Sequence, residues 1–283
     1  MSPEIIKDLG DGLILRSASV EDTDELAIFN GKVHSEEGKD QPDEFVDTWV
    51  RNLMTGSHPT LKPSDFTVVV DTKTHKIVST MNLIPQTWSY EGLEFGVGRP
   101  ELVGTHPDYR HRGLVREQFN VIHRWSEERG HKMQAITGIP YYYRQFGYEM
   151  CMDLDGCRIG YRPHVPKRKD DEAEKYTFRP VNQEDIPFIC EVYQTTTKRS
   201  LISCVRDEKI WQYDIFGKSE KATADWRIIQ TTEGEPVGFC LYAKDLSGPL
   251  IQLWGIRVKI RHFLPGCYAR PDPPPGNHRA GAG

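Results

Sequence analysis

Glu101-Leu-Val-Gly-Thr-His-Pro-Asp-Tyr-Arg-His-Arg-Gly-Leu-Val-Arg-Glu-Gln-Phe-Asn120 decides the fold, because it combines a strand, a basic loop and an amphipathic helix. Pro107 and Asp108 end the apolar strand segment. Apolar residues then recur at roughly helical spacing, at Leu114, Phe119, Ile122 and Trp125. Gly130 ends this pattern. The stretch therefore predicts a strand that turns directly into the N-terminus of a helix.

The predicted helix start has the features of an anion site. Its first turn has unpaired backbone N–H groups and a partial positive charge, and Arg110, Arg112 and Arg116 add full positive charges. Gly113 has no side chain, so the backbone there can approach an anion closely. The loop indicates a site for a phosphate-bearing ligand. The alternative is a solvated, basic helix start without a ligand.

Two motifs carry a resemblance to a known family. Arg110-His-Arg-Gly113-Leu-Val115 resembles the coenzyme A pyrophosphate loop of the GCN5-related N-acetyltransferases (GNAT). That pattern is Arg or Gln, two residues, Gly, one residue, then Gly or Ala, and Val115 departs from it at the last position. Roughly thirty residues on, Tyr143-Arg-Gln-Phe-Gly147-Tyr148-Glu149 resembles the second landmark of the family, a Tyr followed by a Gly-aromatic pair. The two landmarks occur in the expected order.

The resemblance implies a fold over roughly residues 12–155. It is an α/β (α+β) fold with a mixed, splayed sheet flanked by helices. The β-rich segments Asp65–Asp71 and Lys76–Ile84 fit a hairpin of this sheet. Ser19 is expected to cap a first helix that runs through Phe29, and Met133–Thr137 is expected to form a strand.

The resemblance also implies an activity. Acetyl-CoA would be the cosubstrate, and a primary amine would attack its thioester directly in a ternary complex. The amine would belong to a small molecule or a peptide. Backbone groups of the strand and loop would bind the coenzyme, at Leu102, Val103, Gly104, Arg110, His111, Arg112, Gly113, Leu114 and Val115.

Tyr143 matches the family's acid for the leaving thiolate. The alternative is that Tyr143 and the aromatic residues around it mainly pack and have solvated hydroxyls, which we favour for Tyr141 and Tyr142. Glu101, just before the loop, is the first candidate for the base. His106 and a chain of water molecules are the alternatives.

An acidic loop follows the first helix, with carboxylates at Glu36, Glu37, Asp40, Asp43 and Glu44. In the family fold this segment borders the acceptor groove, so the loop could attract a cationic amine. The alternative is that these carboxylates are simply solvated.

The second half repeats features of the first. Arg16 is followed by Glu21 and Asp22 at the same distances as Arg179 by Glu184 and Asp185, which predicts a tandem duplication. The whole chain resembles tandem acetyltransferases of the enhanced-intracellular-survival type. We expect a catalytic domain over 1–160, a linker over 161–174, a degenerate and incomplete copy without a coenzyme site over 175–258, and a disordered tail over 259–283.

Composition excludes several classes. A formal net charge of -5 argues against general nucleic-acid binding. The six cysteines form no C-x-x-C pair and the histidines show no metal spacing, so no metal site is predicted. Neither a signal peptide nor an apolar run long enough to span a bilayer is evident. These features predict a cytoplasmic protein without a membrane partner, and a homo-oligomer is left open.

The sequence thus predicts an acetyl-CoA-dependent N-acetyltransferase. The alternative is a non-catalytic protein that binds or senses acyl-CoA. A nucleotide-binding domain of another class is disfavoured, because neither G-x-x-x-x-G-K-[ST] nor G-x-G-x-x-G is present.

Overall fold

The computed structural model describes residues 4–35, 41–139, 141–152, 158–161, 173–219, 224–243 and 250–257. In these ranges the strands form two sheets, one of seven strands and one of five. Helices pack on the sheets, so the predicted α/β class is confirmed.

The first sheet contains six consecutive strands: β1 (Ile5–Gly10), β2 (Leu13–Ser17), β3 (Phe66–Asp71), β4 (Lys76–Tyr90), β5 (Leu93–Thr105) and β6 (Met133–Gln134). They lie in chain order across the sheet. Neighbours are antiparallel except β5 and β6, which are parallel, so the sheet is mixed as predicted. The β3–β4 hairpin is confirmed. The strand predicted to reach Thr137 ends at Gln134 instead, because only Met133 and Gln134 pair with β5.

Three helices cover this sheet: α1 (Thr23–Val33), α2 (Glu44–Met54) and α3 (Leu114–Glu128). α1 and α2 share a buried apolar cluster with one face, and α3 packs on apolar residues of the other face. Gln118 of α3 is fully buried, and its side-chain amide donates to the Thr67 carbonyl while its oxygen accepts from Ser79. These bonds tie α3 to β3 and β4, which fixes the position of the helix start.

The second sheet is formed by β7 (Arg158–Tyr161), β8 (Tyr176–Pro180), β10 (Asp225–Thr231), β11 (Pro236–Ala243) and β12 (Leu250–Ile256). Its order is β7-β12-β11-β10-β8. The helix α4 (Ile186–Thr197) packs on it, and the short α5 (Glu208–Gln212) runs into a π-helical turn at Tyr213–Gly217.

Strand pairing in the two sheets does not follow the predicted division of the sequence. β7 spans the predicted boundary between residues 160 and 161 and pairs with β12 of the second sheet. A further short strand, β9 (Ile202–Cys204), lies in the second half of the sequence but pairs with β4 of the first sheet. The predicted boundary at residue 160 therefore falls inside a strand, because main-chain pairing crosses between the halves.

A local motif occurs once in each half. Arg16 donates to both carboxylate oxygens of Asp22, at 2.8 and 2.6 Å, and Arg179 does the same to Asp185, at 2.6 and 2.7 Å. In each case a strand leads into a helix, and the pairing order β8-β10-β11-β12 parallels β2-β3-β4-β5. This likeness supports the tandem duplication, which stays a prediction.

Side chains also join the halves. The Asn52 amide donates to Ser219 Oγ at 3.3 Å, and the Ser219 N–H donates to Asn52 Oδ1 at 3.2 Å. Tyr213 packs its ring edge against His58, with centroids 4.7 Å apart. α2 thus contacts the second half directly.

Candidate active site

The basic loop begins where β5 ends at Thr105. A single 3-10 turn, Pro107–Tyr109, follows the strand, and α3 begins at Leu114. The Tyr109 hydroxyl donates to Asp71 Oδ2 at 2.6 Å and anchors this turn to the end of β3. Gly113 has a φ of 75°, a left-handed conformation that glycine adopts without steric cost. The glycine thus lets the chain turn sharply into the helix.

A β-bulge distorts β5 just before the loop. Thr80 pairs with Gly104 and Asn82 pairs with Glu101, so two residues of β5 lie opposite one residue of β4. A bulge leaves backbone groups out of the ladder, where a ligand can bind them. Leu102, within the bulge, has a φ of 55°, which costs roughly 1–3 kcal/mol. Its side chain is buried in the core, which offsets part of this strain.

The bulged strand, the basic loop and the tyrosine segment line one cavity of about 860 Å³. The predicted residues that line it are Glu101, Leu102, Val103, Gly104, Arg110, His111, Gly113, Leu114, Val115 and Tyr143. Val115, in the first turn of α3, is also partly buried and packs against the core. The structure therefore brings almost all of the predicted coenzyme residues together with the predicted acid.

Arg112 is the exception among the predicted coenzyme residues. Its guanidinium lies 4.9 Å from the centre of the Tyr109 ring and donates to the Asp108 carbonyl at 3.3 Å. It lines a separate recess together with Lys7 and Glu117. Arg110 and Arg112 thus line different recesses. The backbone between and after them is left-handed, with a φ of 61° at His111 and of 75° at Gly113.

Tyr143 lies in a 3-10 turn, Tyr142–Phe146. Its ring meets the edge of Phe119 at 6.1 Å, and a β-carbon at Gly138 would lie 3.3 Å from its hydroxyl. Burial raises the pKa of Tyr143 to about 12. Among the described residues its hydroxyl has no hydrogen-bond partner. The phenol therefore stays protonated at neutral pH and is free to donate its proton into the cavity.

The neighbouring aromatic residues have mixed roles. Phe146 stacks on Phe119 with centroids 4.2 Å apart, and Tyr148 hydrogen-bonds Gln134. These two residues pack as the alternative interpretation expected. Tyr141 does not pack in the core: 65% of it is exposed, although Arg144 covers one side of the ring. The preference for packing at Tyr141 was therefore wrong.

Glu101 is held by other residues at the cavity wall. Arg99 Nε donates to its carboxylate at 2.7 Å, and its side chain is only 12% exposed. Burial raises the pKa of Glu101, and the charge and hydrogen bond of Arg99 oppose this shift. His106 lies outside the cavity wall, and its Nδ1 accepts from the Asp108 N–H at 3.3 Å. His106 therefore acts as a local cap and is a poor candidate for a base.

The acidic loop lies only partly within the described residues. Glu36, Glu37 and Asp40 lie outside them. Asp43 accepts a hydrogen bond from the Val46 N–H at 3.0 Å and so caps α2, a role that Asp commonly takes. Glu44 is exposed at the start of α2, and neither Asp43 nor Glu44 lines the cavity. The prediction that these two carboxylates face the acceptor is not supported by their positions.

The part of the cavity wall that α1 and α2 form comes from residues that sequence reasoning missed. Val33 and His34 at the end of α1 line it together with Val46 and Trp49 of α2. α1 was expected to end at Phe29 but continues for one more turn, and the His34 N–H donates to the Asn30 carbonyl. The helical spacing of Val46, Trp49, Val50 and Leu53 could have located α2's inner face. No comparable pattern marks His34.

Among the described residues, no group of three or more His, Cys, Asp and Glu is arranged to bind a metal. The same part of the chain contains no helix that is long and apolar enough to cross a membrane.

The family comparison matches the first half of the chain. Residues 16–151 match the family model described as an acetyltransferase (GNAT) domain. This range contains the bulged strand, the basic loop and Tyr143. This range is thus similar to a GNAT acetyltransferase domain, and the prediction of an acyltransferase is confirmed. No curated protein matches the sequence.

Solved structures of low identity share the fold. One is Saccharomyces cerevisiae N-myristoyltransferase with bound myristoyl-CoA, with a TM-score of 0.65 and 12% identity over 89% of this chain and 68% of that one. Another is an Enterococcus faecalis V583 protein described as a probable N-acyltransferase, with a TM-score of 0.57 and 16% identity over 82% of this chain and 55% of that one. This chain thus spans only part of the length of each of these two proteins. The likeness shows the fold, and the predicted GNAT-like architecture is confirmed.

Proposed function

We propose that the GNAT domain at residues 16–151 transfers an acetyl group from acetyl-CoA to a primary amine by direct attack in a ternary complex. One observation carries the proposal: the basic loop, the bulged strand and Tyr143 line the same cavity. A coenzyme bound through its pyrophosphate at the loop would extend along β5 towards Tyr143. The second half, which contacts α2 and β4, would support the acceptor side of the domain.

Each part of the cavity has a chemical task in this proposal. The N–H groups at the start of α3 and the Arg110 guanidinium would neutralise the pyrophosphate. Backbone groups released by the bulge at Leu102 and Val103 would bind the pantetheine arm and polarise the thioester carbonyl. Tyr143 would give its proton to the thiolate as the carbon–sulfur bond breaks.

The test is transfer by Tyr143→Phe. We expect kcat to fall about 100-fold or more, because general acid catalysis contributes about 10²–10⁴-fold. Acetyl-CoA binding should persist, since the ring and its contacts with Phe119 remain. Tyr141→Phe is the matched control, because its exposed hydroxyl lies off the cavity wall, and its kcat should match that of the parent. Unchanged turnover in Tyr143→Phe would remove the assigned acid.

The alternative function, an acyl-CoA sensor, makes a different forecast. A sensor would bind acetyl-CoA in the parent and in both variants but would acetylate none of a broad set of amines. Detectable transfer that depends on Tyr143 would exclude it.

A longer acyl donor is a second candidate, favoured by the likeness to a structure that holds myristoyl-CoA. Apolar side chains, including Val46, Trp49 and Ile136, line part of the cavity wall. Turnover should be compared with acetyl-, octanoyl- and myristoyl-CoA on one amine. A kcat/KM that rises with chain length would replace acetyl by the longer group, and a fall would retain acetyl.

A further inference from the structure

His34 lies where the part of the cavity wall formed by α1 and α2 meets the bulged strand. It directly follows α1, and its ring lines the cavity and stays exposed to solvent. A β-carbon added at Gly104 would lie 3.6 Å from His34 Nε2. The imidazole therefore sits next to the strand along which the proposed coenzyme arm would lie.

Pro42 and Asp43, directly before α2, pack against the last turn of α1. The Asp43 N–H donates to the Gly31 carbonyl at 2.8 Å, and a β-carbon at Gly31 would lie 3.1 Å from Pro42. This close packing holds the capping carboxylate of Asp43 near the end of α1. Among the described residues, Asp43, from the α1–α2 connection, is the charged group that acts on the pKa of His34. Glu101, Arg110, His111 and Arg116 line the same cavity, and residues 36–40 lie outside the described ranges.

The protonation state of His34 suits a proton acceptor. Burial of part of the ring lowers the pKa of His34 below its ordinary value, while the charge of Asp43 opposes this shift. Because the ordinary value is already about 6.5, the imidazole is neutral at pH 7 and has a free lone pair. Glu101 is less suited, since its carboxylate already accepts a hydrogen bond from Arg99.

We propose that His34 is the general base that takes the proton from the acceptor amine. The amine nitrogen bonds to the acyl carbon and gives its proton to His34 Nε2, the carbon–sulfur bond breaks with its electron pair on sulfur, and Tyr143 protonates the thiolate. His34 and Tyr143 then return to their starting states by proton exchange with solvent. This inference rests on the acetyl transfer proposed above. It leaves Glu101 as the counter-charge of Arg99.

The experiment compares pH profiles of kcat/KM for four proteins with one amine: the parent, His34→Gln, Asp43→Asn and Glu101→Gln. The ionisation of the amine is common to all four, so differences report on the enzyme. His34→Gln should lower kcat/KM about 100-fold at pH 7.5. In its pH profile, the fall in kcat/KM at acidic pH that protonation of His34 causes should be absent. Calorimetry should show acetyl-CoA binding within about threefold of the parent, because the coenzyme loop is untouched.

Asp43→Asn gives a readout that a purely structural role of His34 would not produce. Asn still caps a helix, so the fold of α2 is preserved. Removing the carboxylate should lower the pKa of His34, so the acidic limb should move to lower pH while turnover at the optimum remains. Glu101→Gln should keep the position of the acidic limb.

Three outcomes overturn the inference. The first is a His34→Gln variant that keeps kcat/KM within threefold and retains the parent's acidic limb. The second is loss of that limb in Glu101→Gln instead. The third is a parent that binds acetyl-CoA but acetylates no amine, which rejects the proposed function and the inference together. Circular dichroism of each variant, and His34→Asn as a second substitution, separate loss of the base from loss of folding.

Discussion

Val33 fills the space above Gly104: a β-carbon added to this glycine would lie 2.7 Å from Val33 Cγ1. Real side chains do not approach so closely, so the end of α1 can lie against β5 only where the strand has no side chain. The contact brings His34 next to the bulge. It also explains why a glycine is required at this position although its φ is not left-handed.

Gly104→Ala should therefore destabilise the protein by about 1–3 kcal/mol, the usual cost of overpacking, and should lower transfer. Val33→Ala removes the clashing methyl, so the double variant should recover part of the stability lost by Gly104→Ala. Unfolding in denaturant measures both effects. If the double variant loses as much free energy of unfolding as the two single variants lose together, the two residues are not coupled and this account of the contact is contradicted.

Tyr109→Phe should loosen the basic loop without disturbing the proposed chemistry. The hydroxyl anchors the turn to Asp71, while the ring beneath Arg112 remains. We expect the KM for acetyl-CoA to rise about three- to tenfold with little change in kcat, because an ordinary hydrogen bond contributes about 1 kcal/mol. Asp71→Asn keeps a neutral acceptor and should have a smaller effect. Equal KM values for Tyr109→Phe and the parent would show that this anchor does not order the loop.

His58 should make the stability of the protein sensitive to mild acid. Burial, aided by the charge of Lys218, lowers the pKa of His58 from 6.5 to about 4. Its Nδ1 accepts from the Leu61 N–H at 3.0 Å, which requires an unprotonated nitrogen. The unfolded chain binds the proton first as the pH falls. The contribution of His58 is therefore complete above about pH 6.5 and is lost between pH 6.5 and 4, by at most about 3 kcal/mol.

His58→Asn removes this titration but keeps an acceptor near the position of Nδ1. Its free energy of unfolding, measured between pH 7 and 4.5, should fall less steeply than that of the parent. His75→Asn, at an exposed turn with a φ of 57°, is the control and should follow the parent curve. Parallel curves for the parent and His58→Asn would refute the assignment.

The basic loop and the tyrosine turn could be predicted from the sequence, because local residue patterns encode both, while the role of Tyr143 as the acid stays a prediction. A basic loop with Gly113 before a helix, and a tyrosine turn farther along, are readable without the fold. The bulge at Leu102 was not readable, because it depends on which residues of β4 lie opposite, and leucine does not signal a left-handed φ. His34 was missed for a related reason: only the close approach of α1 to Gly104 brings it to the cavity.

The pairing of β7 with β12 and of β9 with β4 could not be predicted either. β7 and β9 are short, and their partners lie far away in the chain. Pairing of this kind is decided by tertiary contacts such as that between Asn52 and Ser219. For Asp43 the local signal was present but was not used. Its carboxylate was assigned to the substrate, although its position directly before α2 predicts a helix cap.

Coenzyme binding is the central claim, and calorimetric titration of the protein with acetyl-CoA tests it most directly. We predict micromolar binding by the parent, about tenfold or weaker binding by Arg110→Ala, and nearly unchanged binding by Arg112→Ala, because of these two arginines Arg110 lines the cavity and Arg112 lines the separate recess. Dephospho-CoA should still bind, since the loop would hold the pyrophosphate. No heat of binding from a protein shown to be folded, or equal losses in the two arginine variants, would contradict the account.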